Sequence, residues 1–479
     1  MSQFPKSLAF TGFNRPDRYE IDIEDIEVEG EVPAHLDGAF YRVNPDPQFP
    51  PLLGDDIVFN GDGMASRFRF KNGRIDFKHR WVRTDKWKLE HAAGKSMFGA
   101  YRNPLTDSPE VKGKIRGTAN TNVIKFGGKL WALKEDSPPV EMNPDTLETI
   151  GYSNFNGQLK SETFTAHPKI DPVTGDMCAF GYAAKGVLTK DIVYYEISPQ
   201  GQFKREVWFE LPYYAMMHDF GVTRDYAVFH VVPITSSWER LQARLPHFGF
   251  DTTMPVYLGV LPRTGTAKDI RWFKAANCFA SHVLNAFNDG SKIYFDTPVA
   301  KNNMFPFFPD IHGAPFKLEE AFANLTRWCV DMNSKGDSFE SAETLVKGLP
   351  GEFPRIDDRY AMQAHRHGYW LIMDPSKPAK FGRLSQMMNT LGHVDLTTGK
   401  TQNWFCGDES SLQEPAFIPK SKRSAEGEGY IVQLCNRLAE NRSDVLLFDA
   451  QRIADGPIAT GRLPMRLRPG LHGNWHDAD

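Results

Sequence analysis

Residues 161–182 read SETFTAHPKIDPVTGDMCAFGY, and they set a pattern that returns twice more in the chain. A histidine stands at a strand edge, a Gly/Asp turn follows, and a strand ending in aromatics comes next. After His218 the chain runs DFGVTRDYAVFHVV, and after His282 it runs VLNAFNDGSKIYFD. Asp176, Asp225 and Asp289 therefore each mark a turn before Phe180, Phe229 and Phe295. Three repeats that place a histidine at one equivalent position, if stacked around an axis, aim those side chains at a common centre.

Outward from these repeats, strand-and-turn segments follow one another from end to end. FRFKNGRIDF (68–77), VIKFGGKLWAL (123–133), YYEISPQGQFKREVWFEL (194–211), GVLPRTGTAKDIRWFKA (259–275), HVDLTTGKTQNWFCG (393–407) and LLFDAQRIADGPIATGRL (446–463) are apolar or aromatic runs split by Gly, Asn or Asp turns, the mark of hairpins. Helical signals are few. SSWERLQARL has capping-box spacing from Ser236 to Glu239, with Trp238, Leu241 and Leu245 on one face, and PFKLEEAF near residue 318 is a second short candidate. Short antiparallel strands with 39 glycines leave a sandwich, a large barrel or a propeller. The His-led repeats favour the propeller. Gly/Pro-rich passages at 44–56, 304–316 and 347–358 read as longer loops, some of them covering one face of the ring and forming a substrate cavity.

Composition narrows the partners. Hydrophobic residues at 41% and charged residues at 24% suit a globular chain, and a net charge of −4 offers no basic surface for nucleic acid. The first twenty residues lack the apolar run of a signal peptide, and no segment approaches the roughly 18 apolar residues of a membrane helix. The expectation is a cytoplasmic protein, with residues 1–479 forming a single propeller domain with cap insertions. Five cysteines without a CxxC pair read as buried thiols.

Fourteen histidines raise the question of which act together. His167, His218 and His282 share the repeat position, and His472 lies in LRPGLHGNWHDAD, where a ring closes by bringing the last segment beside the first. Four neutral imidazoles suit iron, copper or zinc and not calcium or magnesium. The alternative is four separate structural histidines. His365 with His367, and His35 with Asp37, are weaker metal candidates because no third ligand is identifiable. The glycines of NGDGMASRF (60–68) precede a strand rather than a helix, which excludes a phosphate loop. A metal-bound imidazole needs its other nitrogen held, usually by a carboxylate. Glu135, Glu352 and Glu414, in apolar surroundings, fit that need.

HLDGAFYRVNPDPQFP, LWALKEDSPPVEMNPDTLETIG, TAHPKIDPVTGDMCAFGY, MMHDFGVTRDYAVF, EFPRIDDRY, EPAFIP and LHGNWH together resemble the carotenoid cleavage oxygenase family, over nearly the whole chain and most closely in its stilbene-cleaving bacterial branch. The resemblance implies an all-β, seven-bladed propeller with a loop and helix cap, and an iron(II) ion held by His167, His218, His282 and His472. It also implies Glu135, Glu352 and Glu414 behind three of these ligands, and a homodimer. His476 lies beyond the matching HG and is not carried over. Thr121 stands where some relatives place a hydroxyl residue beside an open iron position.

In the stilbene branch a Tyr and a Lys bind the phenol oxygen of a hydroxystilbene, and Tyr101 and Lys134 match them. An ammonium and a phenolic donor would favour the phenolate, whose charge spreads onto the alkene and activates it toward O2. Phe59, Phe305 and Phe307 are candidate walls for a flat ring. Lys134 paired with a neighbouring acid, and Tyr101 packed on the cap, are the structural alternatives. Carotenoid or apocarotenoid cleavage at the same iron, and a propeller that binds without catalysis, are the competing functions.

Overall fold

Regular alternation with tight turns produces a nearly all-β protein. The computed structural model describes residues 3–382, 386 and 388–478, and those residues form seven sheets of four or more strands. The sheets are the blades of a seven-bladed propeller. In chain order, blade 1 holds Gly38–Asp46, Asp62–Lys71, Arg74–Trp81 and Ile21–Ile23. Blade 2 runs from Asn122–Phe126 to Thr149–Tyr152, blade 3 from Lys169–Ile170 to Phe203–Glu210, and blade 4 from Gly221–Val222 to Arg271–Ala275. Blade 5 runs from Phe279–Ala280 to Ser341–Thr344, blade 6 from Gly351–Arg355 to Lys400–Phe405, and blade 7 from Ser410–Leu412 to Ala459–Arg462.

Both ends of the chain close the ring. Gly473–Asp477 pairs with Gly38–Asp46 as the innermost strand of blade 1, and Glu27–Gly30 adds to Ala459–Arg462 as the outermost strand of blade 7. Sharing strands between the termini removes the open seam that a ring of separate sheets would leave. Turn chemistry sets the register of the hairpins. Asn72 and Gly73 both have positive φ (52° and 77°) between the strands Asp62–Lys71 and Arg74–Trp81, the geometry of a two-residue turn matched to strand twist.

The repeat that organised the sequence is visible in the packing. Phe180, Phe229 and Phe295 are fully buried, and the rings of Phe180 and Phe229 meet edge to face at 6.1 Å. Truncating one of them to Ala costs about 3–5 kcal/mol through lost burial and the cavity left behind.

Several expectations need correction. Two of the passages read as loops continue into strands: Asn44 to Asp46 finish Gly38–Asp46, and Gly351–Arg355 is the inner strand of blade 6. Proline misled the reading there, but Pro354 lies on an edge strand and Pro45 lies beyond the part of its strand covered by Gly473–Asp477, where a missing N–H breaks no ladder. The helix within SSWERLQARL is shorter, Trp238–Gln242, and is capped by Ser237 rather than Ser236. Trp238 and Leu245 are exposed, leaving Leu241 as the buried member of the expected stripe. PFKLEEAF forms only a 3-10 turn, Leu318–Glu320. Cys278 is half-buried, while the other four cysteines are buried free thiols.

A longer helix, Asp85–Ala93, escaped the sequence reading. Its start is capped by Thr84 and its end by Gly94 in the left-handed conformation. Ions fix it rather than an apolar stripe: Lys86 Nζ donates to Asp62 Oδ1 at 2.9 Å and to Glu90 Oε2 at 2.8 Å in a buried cluster. Among the described residues no helix is long and apolar enough to cross a membrane.

Candidate active site

Each blade delivers one member of a set of four histidines and three glutamates to the axis. His167 precedes the inner strand Lys169–Ile170 of blade 3, His218 precedes Gly221–Val222 of blade 4, His282 precedes Asn285–Asp289 of blade 5, and His472 precedes the closing strand Gly473–Asp477 of blade 1. Glu135 follows Lys129–Leu133 of blade 2, Glu352 lies in Gly351–Arg355 of blade 6, and Glu414 precedes Ala416–Pro419 of blade 7. Residues that are 51 to 190 positions apart meet because inner strands of every blade end at the same radius.

The four imidazoles turn one nitrogen each inward, and these atoms all lie within 4.8 Å of one another. Successive Nε2 to Nε2 separations are 3.1 Å (His167 to His218), 2.9 Å (His218 to His282) and 3.2 Å (His282 to His472). The outward nitrogens of three rings face carboxylates. His218 Nδ1 donates to Glu135 Oε1 in a very short contact, His282 Nδ1 to Glu352 Oε2 at 2.5 Å, and His472 Nδ1 to Glu414 Oε1 at 3.0 Å. Those bonds place the proton on Nδ1 and leave the Nε2 lone pairs converging, the tautomer that a cation requires. The donor set therefore fits a borderline transition metal.

Electrostatics agree. Burial alone would raise the Glu414 carboxyl, but His472, then Arg355, outweigh it and hold it at about 2. Glu135 and Glu352 are likewise held low by their histidines against burial. His167, which has no carboxylate partner among the described residues, is kept well below the ordinary imidazole value by burial and by the three neighbouring rings, so it is neutral at pH 7.

An axial cavity of about 370 Å³ reaches the imidazoles, walled by inner-strand residues such as Ile124, Val222, Ala286 and Arg355. Phe353 stacks on His282 at 5.0 Å, a contact that the sequence did not flag. The competing histidines go elsewhere. His365 faces Asn285 at 3.1 Å and Asp296 at 3.5 Å, and His367 bonds His393 at 3.0 Å. His35 lies against Tyr430, and Asp37 pairs with Arg69.

A second group gathers around Tyr101. Phe59 meets Phe307 at 5.1 Å and Phe305 at 6.2 Å, both edge to face, and its ring lies 6.3 Å from Tyr101. Phe308, unremarked in the sequence, stacks on Tyr101 at 6.3 Å. Lys134 Nζ sits 5.2 Å above the Tyr101 ring centroid and donates to Phe59 O and Asn120 Oδ1, both at 3.1 Å. Among the described residues it makes no ion pair, so the structural alternative of a Lys134 bridge to a neighbouring acid is not realised. An ammonium has three N–H donors, and two have protein acceptors here. Burial holds the Lys134 ammonium below its ordinary value and pushes the Tyr101 hydroxyl up.

Thr121 joins the two groups. Its carbonyl accepts from His472 N at 3.2 Å, and its hydroxyl donates to Asn120 Oδ1 at 3.1 Å. Sequence reasoning missed Asn120, which belongs to no periodic pattern and carries no charge.

A ring of seven blades with four imidazoles converging on its axis defines a class of propeller with a candidate metal centre. The family model described as retinal pigment epithelial membrane protein (RPE65) matches residues 14–477, and the chain belongs to this family, that of the carotenoid cleavage oxygenases. Among its relatives, lignostilbene-alpha,beta-dioxygenase isozyme III of Sphingomonas paucimobilis is 58% identical over 100% of this chain and 99% of that one. Isoeugenol monooxygenase of Pseudomonas nitroreducens is 44% identical over 96% of each chain. The crystal structure of Pseudomonas brassicacearum lignostilbene dioxygenase covers 100% of both chains with a TM-score of 0.96 and 44% identity.

Proposed function

We propose that the protein is a non-haem iron(II) dioxygenase that cleaves the central double bond of a 4-hydroxystilbene with O2, giving two aromatic aldehydes. One alkene and one O2 supply all the atoms of the two aldehyde groups. The observation that carries the reading is the buried Lys134 ammonium, which lacks a carboxylate partner among the described residues and faces Tyr101 beside an aromatic wall. The lignostilbene dioxygenase similarity supports it.

His167, His218, His282 and His472 would hold the ion, and iron(II) bound there supplies the redox chemistry that brings O2 to the alkene. Glu135, Glu352 and Glu414 keep three of the rings oriented with their lone pairs inward. Lys134 and Tyr101 receive the phenol oxygen. A cation buried in low dielectric lowers the phenol's pKa, and the resulting phenolate charge is conjugated onto the alkene carbons, which become electron-rich. Phe59, Phe305 and Phe307 hold the ring flat and exclude water. Thr121 flanks His472 and offers an oxygen lone pair, its proton being donated to Asn120.

The test is aerobic turnover after anaerobic iron loading, with a 4-hydroxystilbene, its 4-methoxy counterpart, isoeugenol and one apocarotenoid. Rapid aldehyde formation from the 4-hydroxystilbene alone is the expected result. Isoeugenol shares the phenol para to a conjugated alkene, so its preferred cleavage would narrow the ring pocket to one aromatic group. Equal turnover of the methoxy compound, or preferred cleavage of the apocarotenoid, would overturn the reading.

A further inference from the structure

Asn120 is fully buried between the imidazole ring and the aromatic group, and all of its polar capacity is committed. Its Nδ2 donates to Phe59 O at 2.9 Å and to Gly61 O at 2.6 Å. Both partners are carbonyls, so only the amide nitrogen can face them, and the orientation of the side chain is fixed. Its Oδ1 then points at two donors, the Lys134 ammonium and the Thr121 hydroxyl, each at 3.1 Å. Phe59 O accepts from Lys134 as well, so Asn120, Lys134 and the Phe59 carbonyl form a closed triangle of hydrogen bonds.

What matters is that the acceptor is neutral. A carboxylate in the same place would hold Lys134 equally well and cancel its charge. The other charged groups near Lys134 are Asp136, Glu135, Arg102 and Lys86. Glu135 is bonded to His218, Lys86 to Asp62 and Glu90, and Arg102 lies 3.8 Å from Asp136. None of them is bonded to Lys134.

We propose that Asn120 is the positioning residue of the phenol pocket, a neutral acceptor that aims the Lys134 ammonium at the substrate oxygen and leaves its charge for a phenolate. Specificity for a free para-hydroxyl over an aryl ether follows, because only the ionised phenol uses that charge. The inference rests on the phenol-binding role of Lys134 and Tyr101.

Iron-loaded protein and a 4-hydroxystilbene, mixed without O2, give a bound complex whose phenolate absorbs at longer wavelength than the phenol. Titrating that band gives the pKa of the bound substrate. In the unaltered protein the midpoint falls well below the value of about 10 for a free phenol, and in Lys134→Met it returns to about 10. In Asn120→Ala and Asn120→Ser the midpoint rises by about one pH unit or more, and KM for the 4-hydroxystilbene rises roughly tenfold, while binding of the 4-methoxy compound changes less than about twofold. The Ser variant carries the test if the Ala variant loses its iron or its fold.

Equal losses for the hydroxy and methoxy ligands would mean that Asn120 only supports the fold, and the proposal would be overturned. So would Asn120 variants that titrate like the unaltered protein while Lys134→Met shifts, an outcome that leaves the Lys134 reading intact. If Lys134→Met itself leaves the midpoint in place, the phenolate reading fails and the role of Asn120 fails with it.

Discussion

The imidazole ring and the phenol pocket are built from different parts of the propeller. Four histidines and three glutamates come from strand ends that converge on the axis, and every blade supplies one of them. The phenol group draws on connections instead. Phe59 lies in the 3-10 turn Val58–Asn60, Tyr101 follows the helix Asp85–Ala93, and Phe305 and Phe307 lie between Lys292–Ala300 and Asn324–Asp331. Only Lys134 sits directly after a strand. On the proposed function the difference separates two tasks: the rigid scaffold would fix the metal ligands, and the connections, free to vary, would set which substrate is taken.

That division makes the two regions fail differently. His282→Ala removes a ligand that no other side chain replaces, and metal analysis after anaerobic loading should show loss of bound iron and of all turnover. Retained iron would break the division at its strongest point. Lys134→Met should leave iron content unchanged and lower kcat/KM for a 4-hydroxystilbene by about 10²–10³, the usual cost of removing one charge-stabilising donor from a dry site. Because burial depresses the Lys134 ammonium below its ordinary 10.5, its charge is lost as pH rises at a lower pH than for an exposed lysine. The pH profile should therefore have an alkaline limb below 10.5, absent in Lys134→Met.

Glu352→Gln tests the outer layer of the ring. Metal affinity, measured by chelator competition, should drop about 10–100-fold with stilbene specificity unchanged. Among the described residues His167 has no carboxylate behind it, so the seven-residue set predicts three positions sensitive in this way and not four. The smallest effect belongs to the walls: Phe307→Leu should change KM only about 2–10-fold, consistent with the worth of one aromatic contact.

These contrasts track what could be read from the chain. The ring was legible because a propeller repeats, and repetition places His167, His218 and His282 at one position relative to strand and turn. The closing strand then brought His472 beside them. Glutamates 135, 352 and 414 were readable from the need of each ligand for an outer partner, and the family motifs supplied the same residues. The HRH pair failed as a metal candidate because neighbours in sequence need not share neighbours in space: His365 turns to blade 5 and His367 to His393. The helix Asp85–Ala93 lacks an apolar stripe and is anchored by buried ions, so periodicity did not reveal it. Asn120 was the least visible, since a neutral amide declares its role only through the four partners that the fold brings to it.

X-ray absorption at the iron edge of anaerobically loaded protein tests the centre most directly. The converging lone pairs predict one iron per chain with four imidazole nitrogens bound to it. Fewer than four imidazoles in the unaltered protein, or a sulfur or protein carboxylate bound to the iron, would contradict the site.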